Sequence, residues 1–335
     1  AASLAFGALL LLASGGSSPA VRDQDASALL STYGTDLLAP LPADAVLLTY
    51  GEPAAGVAHL AYDVRRSGAD RGLLVLDVSQ MSVERYWLGV DLLSKPELVP
   101  QPARPLNFPG NHTNQYDAGS FTVADLIEAN PERPFFLVTT RDPQPLAIGQ
   151  AGELAFDPHD PLGLNRLRAF PHGLTWRVFP VDRSPPDLSP AEAARALRAC
   201  TTLQQLPSSP APHSWSRRVV EQYWEATHRV AFLYLRAGNH AEVVRLYGEL
   251  RAHANGTAPP AEAKKWAINL AIALDTELQR ASLGSVEYVG MLHALVGALD
   301  EYVSLARATD DSDVALATAE ENLVRSRALL RTHTT

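Results

Sequence analysis

Hydrophobic and polar positions divide the chain into two patterns, with short apolar runs and helical stretches alternating in the first half. The helical stretches are 54–66, 83–88 and 121–130, and the runs that predict buried strands are 46–50, 73–78, 134–140 and 173–180. This alternation of strand and helix is typical of parallel sheets. We therefore predict an α/β Rossmann-like N-terminal layer over residues 44–200.

In the last third, apolar residues recur with the period of a helix over 220–235 and 289–303. Between these stretches, a helix end, a Gly-Asn turn and a second helix give the layout of a tetratricopeptide (TPR) hairpin. The sequence thus predicts an all-α, TPR-like helical hairpin domain over 213–331. Aromatic residues at this spacing pack between helices, and we assign Trp215, Trp224 and Trp266 to such packing.

The sequence begins with the apolar segment AASLAFGALLLLA, residues 1–13, which is shorter than the roughly 20 residues of a membrane span. Two interpretations are equally supported. The segment is either the hydrophobic part of a signal peptide, with ASGGSS as its cleavage zone, or the end of a transmembrane helix that covers residues 1–15. Both place the remainder outside the cytosol. Residues 16–43 then read as a connector that contains one short amphipathic helix.

Composition narrows the classes of function. A net charge of −9 without clustered Lys and Arg argues against a nucleic-acid partner. The single cysteine, Cys200, excludes an internal disulfide and a CxxC zinc site, and predicts a free buried thiol. Most of the 25 prolines precede residue 213, which places a domain boundary near 200–213.

The stretch AVLLTYGEPAAGVAHLAY, residues 45–62, raises the question of a phosphate-binding turn. Gly51 and Gly56 have the spacing of a P-loop, but Val57 and Ala58 stand where Lys and Ser or Thr belong. Glu52 adds a negative charge to the turn. These residues favour a tight strand-to-helix turn over a nucleotide site.

Ligands of α/β sheets usually bind at the carboxyl ends of strands. Glu52, Asp77 and Glu84 fall near these ends, and Asp77 stands where a ribose-binding acid would be expected. The candidate pocket or acceptor surface consists of Gly51, Glu52, Asp77, Glu84, Asn107 and Gly110.

Other chemical motifs are sparse. The cluster DDSD at 310–313 reads as a helix cap, and DPHDP at 157–161 as paired turns. The sequence contains no GxSxG or HExxH pattern, so we predict neither a catalytic residue nor a metal site. Two sequons make Asn111 and Asn255 candidate glycosylation sites.

Several segments together resemble one family. They are LPADAVLLTYGEPAAGVAHLAYDVRRSGADRGLLVLDVSQMSVERYW, NFPGN, SWSRRVVEQYWEATHRVAFLYLRAGN and KKWAINLAIALDTEL. In order and spacing they are similar to the C-terminal lumenal region of the transmembrane protein 260 family, which includes bacterial relatives of formerly unknown function. The resemblance spans residues 25–305.

Members of that family resemble polytopic glycosyltransferases of the GT-C type, and the animal proteins are protein O-mannosyltransferases of the endoplasmic reticulum that act on IPT domains. The resemblance implies a lipid-linked mannose donor, a protein acceptor of IPT type and a catalytic acid in an early lumenal loop outside this chain. It also implies that residues 1–13 end the last membrane helix. No cofactor is implied for this chain itself.

Two alternatives come from other classes. One is a secreted binding protein with an α/β part and helical repeats and without catalytic activity. The other is a stand-alone glycosyltransferase that uses a nucleotide sugar, which needs a second Rossmann-like domain that the helical C-terminus does not supply.

Overall fold

A computed structural model describes residues 24–50, 73–77, 123–139, 154–155, 166–183, 188–309 and 315–334. The predicted helices at 54–66 and 83–88 and the apolar segment 1–13 lie outside these ranges. Within them, a mixed sheet occupies the middle of the chain and a helical bundle follows it.

The described strands are β1 Val46–Tyr50, β2 Leu74–Asp77, β3 Phe135–Thr139, β4 Leu154–Ala155, β5 Leu167–His172 and β6 Thr175–Pro180. The described α-helices are α1 Gln24–Leu38, α2 Val123–Ala129, α3 Pro190–Arg198, α4 Trp215–Arg236, α5 His240–Ala254, α6 Pro260–Leu278, α7 Val286–Ala308 and α8 Ala315–Thr334. A 3₁₀ turn, Leu203–Gln205, lies between α3 and α4.

The strands pair in the order β2-β1-β3-β6-β5-β4. β1 runs parallel to β2 and to β3. The other half is antiparallel, because β6 runs against β3, β5 against β6 and β4 against β5.

The parallel half is buried on both faces. Val75, Leu47 and Phe136 are register partners on three neighbouring strands and belong to the main hydrophobic cluster. Val46 and Leu48, which point to the opposite face of β1, are buried as well. Strands with two buried faces read as continuous apolar runs, which explains why the sequence pattern located β1, β2 and β3.

The predicted fold class, a Rossmann-like layer followed by a TPR-like domain, is wrong. A Rossmann layer requires mostly parallel strands joined by helices, whereas half of this sheet is antiparallel. The single strand predicted over 173–180 is the second half of a hairpin formed by β5 and β6. A two-residue connection reverses the chain and cannot lead into a parallel neighbour.

Gly173 makes this hairpin turn possible. It lies between His172 and Thr175, which pair across the hairpin, and it has a φ of +59°. A positive φ at the first central position of a two-residue hairpin loop is typical of a type II′ turn, where glycine is preferred. A Cβ at Gly173 would also lie 3.1 Å from Pro40 Cγ and 3.3 Å from Cys200 Sγ.

Helix α1 lies within the predicted connector 16–43 but belongs to the core. Leu29, Tyr33, Leu37 and Leu38 form its buried face, and the helix packs against α4. These four apolar residues follow the helical spacing that the sequence predicts for this segment.

The helices after residue 213 pack in chain order, each against the next from α4 to α8. Ser214, Asn239 and Ser285 cap the starts of α4, α5 and α7 by accepting a hydrogen bond from a backbone N–H three residues later. Arg251 of α5 also forms an ion pair with Glu301 of α7. The periodic stretches 220–235 and 289–303 lie in α4 and α7, so the helices predicted there are confirmed.

The aromatic residues differ in their environments. Trp224 and Trp266 are buried and meet edge to face, with ring centroids 5.8 Å apart, which confirms their predicted role in packing. Trp215 is the exception, since it is 37% exposed and lies under the guanidinium of Arg218. It is the first residue of α4.

Among the described helices, α7 alone is long and apolar enough to cross a membrane by the criteria of length and composition. Core helices of compact proteins meet the same criteria. In this structure Leu292, Leu295 and Leu299 of α7 are buried within the bundle.

One hydrophobic cluster joins the sheet and the bundle. It includes Leu47 and Phe136 of the sheet, Tyr33 of α1, and Tyr223 and Leu274 of the bundle. The cluster therefore passes across the boundary predicted near 200–213, and that division into domains stays a prediction.

Two glycine-to-alanine substitutions should have opposite effects on stability. Gly173→Ala adds a Cβ to a residue with positive φ and close neighbours, so we expect a loss of about 1–3 kcal/mol. Gly290 lies inside α7, where an added Cβ meets nothing within 4 Å. The better helix propensity of alanine in Gly290→Ala should therefore add about 0.5–1 kcal/mol to the free energy of unfolding. Urea denaturation of both variants measures the difference, and an equal effect of the two changes would contradict this account of the hairpin.

Candidate functional site

The carboxyl ends of the parallel strands meet at one edge of the sheet. Thr49 of β1 pairs with Asp77 of β2 and with Val138 of β3, and Tyr50 pairs with Thr139. This edge is where the sequence predicts a pocket.

Asp77 is the only member of the predicted pocket among the described residues. It is the last residue of β2 and is half-buried. Next to it, Thr49 is fully buried, and its hydroxyl donates to the Leu76 carbonyl at 3.4 Å. The threonine hydroxyl is thus part of the sheet and does not face a ligand.

The other predicted pocket residues, Gly51, Glu52, Glu84, Asn107 and Gly110, lie outside the described residues. The same is true of Asn111 and of the motifs at 157–161 and 310–313. The grouping of these residues into one pocket therefore stays a prediction.

The second sequon is within the structure. Asn255 ends α5 in the left-handed conformation, with a φ of 42° and a ψ of 49°, and its side chain is exposed. Thr257 of the same sequon donates to the Ala254 carbonyl at 2.6 Å, and its own hydroxyl accepts a hydrogen bond from Arg217 at 3.3 Å. The sequon is accessible on a turn that these hydrogen bonds hold in place.

A buried carboxylate that the sequence analysis missed joins three distant parts of the chain. One oxygen of Asp36, on α1, accepts hydrogen bonds from the Tyr223 hydroxyl at 2.7 Å and from the Thr201 N–H at 2.8 Å. The Cys200 thiol donates to the Asp36 carbonyl at 3.6 Å. The signal in the sequence is one acid within the apolar face of α1, next to Leu37 and Leu38.

The Cys200 thiol and the Tyr223 hydroxyl, which lie next to Asp36, both keep their protons at neutral pH. Burial, reinforced by the Asp36 carboxylate, raises the pKa of the Cys200 thiol to about 12. Burial and the hydrogen bond to Asp36 also raise the pKa of Tyr223. A thiol in its neutral form is a poor nucleophile, and the contacts of this cluster join α1, α4 and the segment after α3. The prediction of a free buried thiol at Cys200 is confirmed.

Arg229 of α4 forms a second contact between the bundle and the sheet. Its guanidinium lies 4.1 Å from the centroid of the Trp176 ring of β6 and forms an ion pair with Glu225 at 3.1 Å. Burial, the largest single influence, raises the pKa of Glu225, but the charge and the hydrogen bond of Arg229 together with other basic neighbours outweigh it, and the net pKa is lowered. Glu225 is therefore ionised at neutral pH and serves the ion pair.

A chain of hydrogen bonds crosses the bundle from α4 to α6. The Tyr247 hydroxyl bonds to His228 Nδ1 at 3.0 Å and accepts from Asn269 Nδ2 at 3.0 Å. Burial lowers the pKa of His228 and raises that of Tyr247. Both side chains are therefore neutral at pH 7, and each contributes to packing between helices.

Within the part of the chain that the structure describes, no group of three His, Cys, Asp or Glu side chains is placed to hold a metal ion. The buried polar side chains discussed above are committed to contacts between helices and strands. Among the described residues, the surface available to a partner includes the exposed Trp215 and the loop between α6 and α7.

Removal of the Asp36 carboxylate should destabilise the whole fold. Asp36→Ala leaves the buried Tyr223 hydroxyl and Thr201 N–H without their acceptor, which costs about 1–3 kcal/mol for each group. Asp36→Asn can present its amide oxygen to both donors and should lose less. Asp44→Ala removes an exposed acid and should leave the midpoint of urea denaturation unchanged. An Asp36→Ala midpoint equal to that of Asp44→Ala would show that this carboxylate does not support the fold.

Comparison of the chain with family models, with curated proteins and with solved structures finds no match.

Proposed function

We propose that this chain is the lumenal C-terminal part of a polytopic protein O-mannosyltransferase and that it positions the protein acceptor. The intact enzyme transfers mannose from a lipid-linked donor to Ser or Thr hydroxyls of folded, IPT-type domains. A general base outside this chain activates the acceptor hydroxyl. Support comes from the resemblance of residues 25–305 to the transmembrane protein 260 family.

The observation that carries the acceptor role is a pair of exposed aliphatic side chains at one end of the bundle. Leu283 is 78% exposed and Val286 is 91% exposed. Large apolar side chains on a folded surface mark contact sites for other proteins when they lie close together. We call Leu283 and Val286 the apolar tip.

The apolar tip has a fixed support. The Ser285 hydroxyl accepts from the Tyr288 N–H at 3.0 Å and caps α7. Gly284, with a φ of +78°, makes the turn that separates the two aliphatic residues. Val286 is the first residue of the capped helix, and Leu283 lies in a turn that the Ser285 N–H closes on the Ser282 carbonyl at 3.2 Å, so binding of a partner there costs little ordering of the loop.

Small residues occupy several positions on the exposed side of α7 next to the tip, beside the exposed His293. Gly290 and Gly297 are exposed, and a Cβ at either position would meet nothing within 4 Å. Ala294 lies between them on the same side and is exposed too. A folded acceptor domain that contacts the tip can therefore approach the helix backbone closely.

Substitution of the apolar tip should weaken acceptor binding without an effect on chemistry. In the intact enzyme, the double variant Leu283→Ser, Val286→Ser should raise KM for a folded acceptor domain and leave kcat unchanged, because the lost contacts are remote from the transferred sugar. Initial rates of mannosyl transfer at varied acceptor concentration measure both constants.

Ile272→Ser is the matched control, since Ile272 is an exposed aliphatic residue of α6, at 48% exposure, outside the tip. Point variants are preferable to deletion of the bundle, because α4 packs on α1 and on β5 and a deletion would remove these contacts as well. Unchanged acceptor kinetics in the double variant would refute the acceptor role. An intact protein with no mannosyl transfer at all would refute the enzyme assignment.

The proposed location is the endoplasmic reticulum membrane with this region in the lumen, and glycosylation of Asn255 tests it. We expect Asn255→Gln to increase gel mobility by the loss of one glycan, because the side chain is exposed. Thr257→Ser keeps the sequon and should migrate like the parent chain. Identical migration of all three proteins, before and after glycosidase treatment, would argue against modification at this site.

The reading frame upstream of Ala1 separates the proposal from a secreted binding protein. Several apolar spans and a lumenal acidic loop before Ala1 support the membrane enzyme. A Met and a short basic segment immediately before it would instead support the binding protein, and the enzyme assignment would be abandoned.

A further inference from the structure

His253 of α5 is buried at the point where three parts of the bundle meet. Its Nδ1 accepts a hydrogen bond from the Trp224 indole N–H of α4 at 2.9 Å. Its Nε2 lies 3.3 Å from the carbonyl oxygen of Leu206, the residue after the 3₁₀ turn. The ring thus connects α4, α5 and the segment that leads from the sheet to the bundle.

The chemistry of the partners determines the state of this ring. An indole N–H only donates, and a carbonyl only accepts. Nδ1 must therefore carry a lone pair and Nε2 must carry the proton. His253 is held as the neutral Nε2–H tautomer.

The two other buried histidines of the described chain are not restricted in this way. His172 Nε2 faces the Pro40 carbonyl at 3.0 Å, and an imidazolium keeps that bond because it still donates. His228 Nδ1 faces the Tyr247 hydroxyl, which accepts as well as donates. Protonation breaks a hydrogen bond at His253 and leaves the bonds of His172 and His228 possible.

The surroundings of His253 give a cation no compensation. The segment 203–206 is uncharged, and α6 contributes the Trp266 ring that packs on Trp224. Two arginines on the packed elements are paired with acids: Arg217 of α4, which lies over the Trp224 ring, with Glu221, and Arg251 of α5 with Glu301.

We propose that His253 is a pH-sensitive latch, and that its protonation releases the contact of α5 and the 203–206 segment with α4. With a proton on Nδ1, two N–H groups face each other, and the Trp224 hydrogen bond cannot persist. The segment 203–206 then loses its bond to α5, because the ring must turn away from the indole. The device connects ambient acidity to the junction between the sheet and the bundle.

The direction of the pH dependence follows from linkage. Burial lowers the pKa of His253 from its ordinary 6.5, and the hydrogen bond to Leu206 offsets this in part. The unfolded chain therefore binds the proton more readily than the folded chain. The stabilising contribution of the neutral ring is fully present above pH 6.5 and is lost as the pH falls through the lowered pKa of the folded state.

Nitrogen-15 NMR of the full chain tests the latch. At neutral pH the His253 side chain should show the Nε2–H tautomer, and the Trp224 indole signal, assigned with Trp224→Phe, should be that of a hydrogen-bonded N–H. On acidification, this signal should shift and lose its exchange protection with a midpoint below 6.5. Amides of 203–206 should lose protection in the same step.

His253→Asn is the decisive variant, because its amide oxygen takes the place of Nδ1, accepts from Trp224 and does not titrate. This variant should keep the indole signal through the acid range. His293→Asn changes an exposed position of α7. In this variant the Trp224 indole signal should show the same acid transition as in the parent chain. The same transition in His253→Asn and in the parent chain would overturn the proposal.

If a variant fails to fold, the His253 tautomer measured in the parent chain still decides whether the proposal holds. An Nδ1–H tautomer at neutral pH would overturn the proposal. An indole signal that stays unchanged down to global unfolding would do the same. The Nε2–H tautomer with a local transition that precedes global unfolding supports it.

Discussion

The two hydrogen bonds that the Asp36 carboxylate accepts are the constraint on which the rest of the structure depends. They tie α1 to the segment after α3 and to α4, so the helix before the sheet, the end of the sheet region and the first helix of the bundle share one buried acceptor. A charge in an apolar core is tolerated only when its hydrogen bonds are made. The position of α4 against α1 is therefore specified more narrowly than apolar packing alone would specify it.

The sequence predicts local structure well wherever burial follows a simple period. β1, β2 and β3 are apolar on both faces, and α4 and α7 have a clear apolar side, so their locations follow from the residues. What fails is the direction of the strands. That direction depends on Gly173, since a single residue with positive φ turns β5 back on β6, and a scan for apolar runs does not detect it.

The buried polar contacts are beyond a reading of one sequence for a related reason. Asp36 and Tyr223, or Trp224 and His253, come together only through tertiary packing, and nothing in the local sequence pairs them. Trp215 shows a different limit of prediction from the sequence. Its aromatic character assigns it to packing together with Trp224, yet at the first position of α4 it is partly exposed.

The division between interior and surface shapes the functional proposal. Among the described residues, Asp36, Cys200, Tyr223 and the buried histidines join helices and strands, whereas the exposed aliphatic residues Leu283 and Val286 lie where α6 turns into α7. An interior of this kind suits a support for a protein contact better than a reaction centre. In our proposal, chemistry belongs to a separate part of a larger enzyme, as the resemblance to membrane mannosyltransferases implies.

The partners of Asp36 are separated from it by 165 and 187 residues along the chain. During synthesis, α1 therefore leaves the ribosome long before Thr201 and Tyr223 exist, and its apolar face waits without its native cover. Contacts of such long range delay folding until most of the chain is made. The apolar face of α1 consequently stays without its cover from α4 until synthesis has passed residue 236.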